Sequence, residues 1–115
     1  MDEHQTKLFE LQADICKTLS DRTRLMILHE LQDGEVSVGQ LAFRLELPQA
    51  NISRHLAILR EREIVVTRRE GTTIFYSLAD PKIAEACNLV RQVLEANLSR
   101  NQALASSLAS LGKRT

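Results

Sequence analysis

Polar side chains crowd the segment from Gln49 to Arg60: Gln49, Asn51, Ser53, Arg54 and His55. Gln and Asn can pair bidentately with adenine and Arg with guanine in the major groove of DNA. Ser suits a phosphate or a thymine methyl, and His a phosphate. A second group follows at Arg68, Arg69, Thr72 and Thr73. A cationic loop there can reach a neighbouring phosphate or the minor groove. The thiols of Cys16 and Cys87 are the remaining reactive groups. No Ser-His-Asp arrangement, phosphate loop or paired carboxylates are recognisable, so catalysis is not expected.

The elements that must position these groups are legible in the periodicity. Leu8, Leu11, Ile15 and Leu19 form an apolar stripe at helical spacing over 5–19. Ser20 or Asp21 caps a second helix, which Asp33-Gly34 stops. Ser37 is the expected N-cap of a third helix, with Gln40 as its capping-box partner. Pro48 marks the next break. The fourth helix buries Ile52, Leu56 and Leu59 and leaves the polar group on its other face. The β-branched run from Ile64, a turn at Glu70-Gly71-Thr72-Thr73 and the run Ile74 to Leu78 make a hairpin over 64–78. Asp80-Pro81 caps a last helix over 81–99, with the stripe Ile83, Cys87, Val90, Leu94 and Leu98. Leu104, Leu108 and Leu111 fall in a tail, 100–115, expected to fray.

The order α-α-α-α-β-β-α is mainly α with a small β-hairpin. It describes one domain over 1–115, a winged helix-turn-helix with its helix-turn-helix at 37–60 and its wing at 64–78. Ser37 joins the expected DNA contacts. Periodicity alone leaves an ordinary amphipathic helix beside a solvated hairpin as an equal reading.

Composition adds bounds. Fifteen Lys and Arg balance fifteen Asp and Glu, so bulk charge does not point to nucleic acid. The distribution does: residues 44–70 carry six Arg against four Glu. No apolar run approaches the roughly 20 residues of a membrane span. With no signal peptide in view, a soluble cytoplasmic protein is expected. Two cysteines in such a chain do not read as a disulfide framework.

Three stretches carry a resemblance. They are Leu19-Ser20-Asp21-Arg22-Thr23-Arg24-Leu25, the run Gln49 to Arg60 containing Ser53-Arg54-His55-Leu56-Ala57, and Arg68-Arg69-Glu70-Gly71 with Tyr76 downstream. With Ser37 to Ala42, they make the chain similar to the ArsR/SmtB family of bacterial repressors over about residues 8–95. The resemblance implies a homodimer built on the first and last helices. It also implies a palindromic double-stranded operator and release by an inducer. Two-fold half-sites lie about 34 Å apart. Glu63 stands where the family usually has Gly, Pro48 where Ser is common, and Ala50 where Pro is common.

The family's usual metal sites are not expected here. Its C-V-C pattern reads Ser37-Val38-Gly39, and its last-helix ligand positions fall on Asp80, Lys82, Val93 and Ala96. Cys16 and Cys87 lie on the two helices that the family packs together. They are readable as small buried hydrophobes, as a thiol switch that oxidation bridges, or as thiolates for arsenite or a soft metal. In the family's cysteine-pair sensors the cysteines would fall at His29 and near Glu95, so that pairing does not carry over. Two functions remain: a repressor released by an inducer through thiol chemistry, and a constitutive DNA-binding or interaction module without an effector.

Overall fold

The computed structural model describes residues 1–112. It opens with α1, Glu3–Leu19, whose Asp2 cap accepts the Gln5 backbone N–H while the Gln5 side chain returns to Asp2 N–H. This reciprocal pair satisfies two of the N–H groups every helix start leaves unpaired. Asp21 caps α2, Arg22–Glu30, by accepting from the Arg24 N–H. A single 3₁₀ turn, Leu31–Asp33, ends at Gly34, whose φ of 130° only glycine adopts readily.

Ser37 caps α3, Val38–Leu45, with Gln40 completing the box as the sequence implied. The recognition helix α4 runs Gln49–Glu61 after Pro48. Both helices end in the same way. After α3, Leu47 N–H bonds Ala42 O and Glu46 sits at φ 55°. After α4, Ile64 N–H bonds Leu59 O, Glu63 N–H bonds Arg60 O, and Glu63 sits at φ 60°. These are Schellman closures with a left-handed residue after the last turn. Glu63 therefore adopts the backbone that glycine would supply at no steric cost.

Strands β2, Val65–Glu70, and β3, Thr73–Leu78, pair antiparallel across a two-residue turn, with Gly71 at φ 63° giving the left-handed backbone that hairpins need. The sequence did not announce a third strand. β1, Val36–Ser37, pairs with β3 at Tyr76 and Phe75, giving the order β1-β3-β2. Two residues are too few for a period-2 pattern, so only the pairing exposes this strand.

The chain divides into two units, residues 1–84 and the helix beyond. In the first unit, Ile27, Leu28, Leu31, Leu41, Ile52, Leu56, Leu59 and Val65 are almost wholly excluded from water. Each such aliphatic side chain contributes roughly 1.5–3 kcal/mol by transfer. Leu19 and Ile83 pack on the margin of this core. On α1, Leu8, Phe9, Leu11 and Ile15 remain exposed.

The last helix, α5, spans Lys82–Gly112 and passes the end expected at residue 99. Nothing after 99 breaks it before Gly112: residues 100–111 are Arg, Asn, Gln, Ala, Leu and Ser, without Pro or Gly. Residues 113–115 of the expected tail lie outside the described residues. On α5, Leu89, Val90, Val93, Leu94, Leu98, Leu104, Leu108 and Leu111 are exposed. Among the described residues no helix is long and apolar enough to cross a membrane.

Candidate nucleic-acid interface

An α-helix advances about 100° per residue, so a residue's number fixes its face. On α4, Ile52, His55, Leu56 and Leu59 are buried, and together they define the docked arc. The opposite arc holds Gln49, Ala50, Ser53, Arg54, Ala57, Arg60 and Glu61, all exposed. The sequence-derived readers Gln49, Ser53 and Arg54 are thus brought together on one open surface. Arg60 shares that surface and was not among the expected contacts. Its position eleven residues beyond Gln49 returns it to the same angle.

The same geometry takes His55 off the surface. His55 is 8% exposed, on the arc between Ile52 and Leu59. Periodicity drawn only through Ile52, Leu56 and Leu59 overlooks that His55 lies three residues from Ile52, inside the docked arc. Its Nδ1 lies 3.4 Å from Arg24 Nη1 and 3.8 Å from Asp21 Oδ1. Asn51 sits at the edge of the arc. It is half-buried, and its Oδ1 is enclosed without a hydrogen-bond partner.

Ser37 is half-buried, and its hydroxyl oxygen accepts the Gln40 N–H 3.2 Å away. Its first task is to start α3. α3 and α2 are further tied by an ion pair, Arg44 Nη1 to Glu30 Oε2 at 3.6 Å.

In the wing, Thr72, Thr73, Arg68 and Arg69 are all exposed. The two arginines differ in what holds them. Arg68 sits on the strand face away from the core and is gripped by two carboxylates. Nη2 donates to Glu35 Oε1 at 2.6 Å and Nη1 to Glu70 Oε2 at 3.0 Å. The guanidinium also lies 4.8 Å from the centre of the Phe75 ring, its cross-strand partner. These hydrogen bonds hold the Glu35 carboxyl below its ordinary value and push the Arg68 guanidinium further up. Arg69, one residue on, falls on the opposite strand face. Arg54, Arg60 and Arg69 make no ion pair among the described residues. They offer the uncompensated positive charge that a phosphate backbone attracts.

The thiols are carried by other helices. Cys16 is exposed on α1 and Cys87 half-buried on α5, and neither is disulfide-bonded. Within one chain Cys16 is exposed, off the apolar stripe of α1.

The family metal positions do not fit a metal. The Ser37 hydroxyl is committed to its cap, Gly39 has no side chain, and Asp80 Oδ1 accepts the Lys82 N–H at 2.9 Å. Among the described residues no group of three or more His, Cys, Asp or Glu is gathered to hold one.

Comparison with known proteins matches these features. Residues 21–67 fit the sequence profile of the bacterial regulatory protein arsR family. An uncharacterised HTH-type transcriptional regulator of Mycobacterium tuberculosis is 37% identical over 109 residues, 94% of this chain and 96% of that protein. The transcriptional repressor BigR from Xylella fastidiosa superposes with a TM-score of 0.71 at 38% identity, covering 81% of this chain and 96% of BigR. A homodimeric winged helix-turn-helix DNA-binding domain from Mycobacterium bovis gives a TM-score of 0.76 at 29% identity. That match covers 87% of this chain and 93% of the other.

Proposed function

The chain belongs to the arsR family of bacterial regulatory proteins, and from that membership we propose that it is a cytoplasmic transcriptional repressor. It binds a palindromic operator as a homodimer and leaves it when an inducer arrives. It acts by binding, not catalysis.

The observation that carries this reading is the division of α4. Ile52, Leu56 and Leu59 are sealed into the core, while Gln49, Ser53 and Arg54 stand together in solvent. A helix so divided can dock on its own domain and present base-reading groups to a major groove. Arg69, Thr72 and Thr73 place the wing tip for backbone contact. The homodimer is supported by the M. bovis relative and by the exposed apolar residues that α1 and α5 each carry, because exposed apolar surface marks association sites. The test is selection of a binding site from a random-sequence duplex library, followed by footprinting. A palindrome with half-sites about 34 Å apart supports the reading; no enriched sequence overturns it.

Release through thiol chemistry is the second part of the proposal. Within one chain Cys16 is exposed, which favours it, since an accessible thiol can react. Operator titrations with and without oxidant or arsenite, on wild type, Cys16→Ser and Cys87→Ser, decide it. Identical affinity throughout would leave a constitutive DNA-binding module.

A further inference from the structure

We infer that His55 is a positioning residue: through Arg24 it fixes the recognition helix to the end of α1, and it does not touch DNA. The inference rests on the operator-binding reading above.

A buried imidazole nitrogen is costly without a hydrogen-bond partner. The His55 Nδ1 faces Arg24 Nη1 at 3.4 Å and the Asp21 carboxylate at 3.8 Å. An arginine only donates and the Asp21 oxygen lies beyond hydrogen-bond reach, so in this contact Nδ1 accepts, which requires the tautomer with its hydrogen on Nε2.

Arg24 is itself held at two further points. Its backbone N–H donates to Asp21 Oδ1 at 3.0 Å, and its Nε donates to Thr18 O at 2.6 Å. Thr18 lies in the last turn of α1, where carbonyls lack intrahelical donors. The neighbouring carbonyls are met locally: Ser20 Oγ donates to Cys16 O and Ser20 N–H to Lys17 O. Arg24 supplies the donor for Thr18, as a cation favoured at a helix C-terminus. One guanidinium therefore joins the end of α1 to the middle of α4, with its own backbone anchored by the α2 cap.

The joint supplies what apolar packing lacks. The contacts of Ile52, Leu56 and Leu59 set how deep α4 sits, but burial has no direction. A hydrogen bond has one, and His55 is the polar group of the docked arc. Rotating α4 by a fraction of a residue's turn would swing Arg54 and Ser53 away from their targets.

The experiment titrates the full-length protein against the duplex it selects from a random library, over a range of salt concentrations. If no site is selected, the operator-binding reading has failed and not the role of His55. His55→Leu is expected to weaken binding by about tenfold, the size of a lost charge-assisted hydrogen bond. The salt slope and the penalties for single base-pair changes are expected to stay unchanged. His55→Asn, whose Oδ1 can accept where Nδ1 did, is expected to bind within about threefold of wild type. A slope reduced by about one would make His55 a phosphate contact, and relaxed preference at one base pair a base reader. Either result overturns the inference, as does an Asn variant no better than Leu, or a Leu variant that binds like wild type. A measurement on the wild type guards against variants that fail to fold. The ¹⁵N spectrum of the imidazole is expected to show an unprotonated Nδ1 and a protonated Nε2; a protonated Nδ1 overturns the joint.

Discussion

Arg68 and Glu35 meet across the central strand of the sheet, with Nη2 2.6 Å from Oε1 and Nε 3.1 Å from Oε2. Glu35 enters β1 and Arg68 lies in β2, the two strands flanking β3. The bidentate pair, seated over Phe75, ties the short first strand to the wing. A side chain that the sequence offers as a phosphate ligand is thus already partnered.

This separates the two wing arginines in a salt titration. Arg69→Ala is expected to flatten the slope of log K against log salt by about one unit, because it removes one uncompensated charge from the proposed DNA face. Arg68→Ala is expected to leave the slope within error of wild type. An equal flattening by both would mean that DNA takes Arg68 from Glu35.

The same pair gives the protein a pH dependence of known sign. The hydrogen bonds from Arg68 lower the Glu35 carboxyl below its ordinary 4.5. A group lowered on folding stabilises the fold above its unfolded value, and that contribution fades as pH falls through the folded value. The urea midpoint of wild type should therefore exceed that of Glu35→Gln at neutral pH, with the gap closing well below pH 4.5. The effect is small and screened by salt, since both groups are exposed. A gap independent of pH would show that the pair does not contribute.

Glu63 is where a substitution should stabilise the protein. It holds φ 60° after α4, where a β-carbon is strained by roughly 1–2 kcal/mol. Glycine relieves that strain at an entropic cost of about 0.5–1 kcal/mol. Glu63→Gly should raise the melting temperature by up to about 4–8 °C, corresponding to a net gain of about 1 kcal/mol. A lower melting temperature would show that the Glu63 side chain contributes more than its backbone costs.

Ser37 tests a cap against a contact. Ser37→Ala should cost about 0.5–2 kcal/mol of stability, because the Gln40 N–H loses its acceptor. Affinity for the selected duplex, measured well below the melting temperature, should fall by less than threefold. A large loss of affinity with unchanged stability would make Ser37 a direct contact.

What the sequence disclosed follows from the range of the forces involved. Caps and turns are local, so Ser37-Gln40, Gly71 and the Pro48 break could be read from neighbours. The docked face of α4 was legible through Ile52, Leu56 and Leu59 because burial repeats with the helix. His55 was misplaced because residue type, not angle, assigned it to the polar side. The engagement of Arg68 with Glu35 was hidden for a different reason: the partners lie 33 residues apart and meet only after β1 joins the sheet. Glu63 was visible as a departure from the family's usual Gly, yet only the backbone reveals that the left-handed turn is kept.

The central claim is that the exposed arc of α4 reads base pairs, and Arg54 tests it most directly. Wild type and Arg54→Ala should be titrated against the selected palindrome and against duplexes carrying each single base-pair change. The account predicts a loss of about 1–3 kcal/mol on the palindrome, with discrimination abolished at one position in each half-site and kept elsewhere. Equal affinity and an unchanged profile of preferences would contradict it.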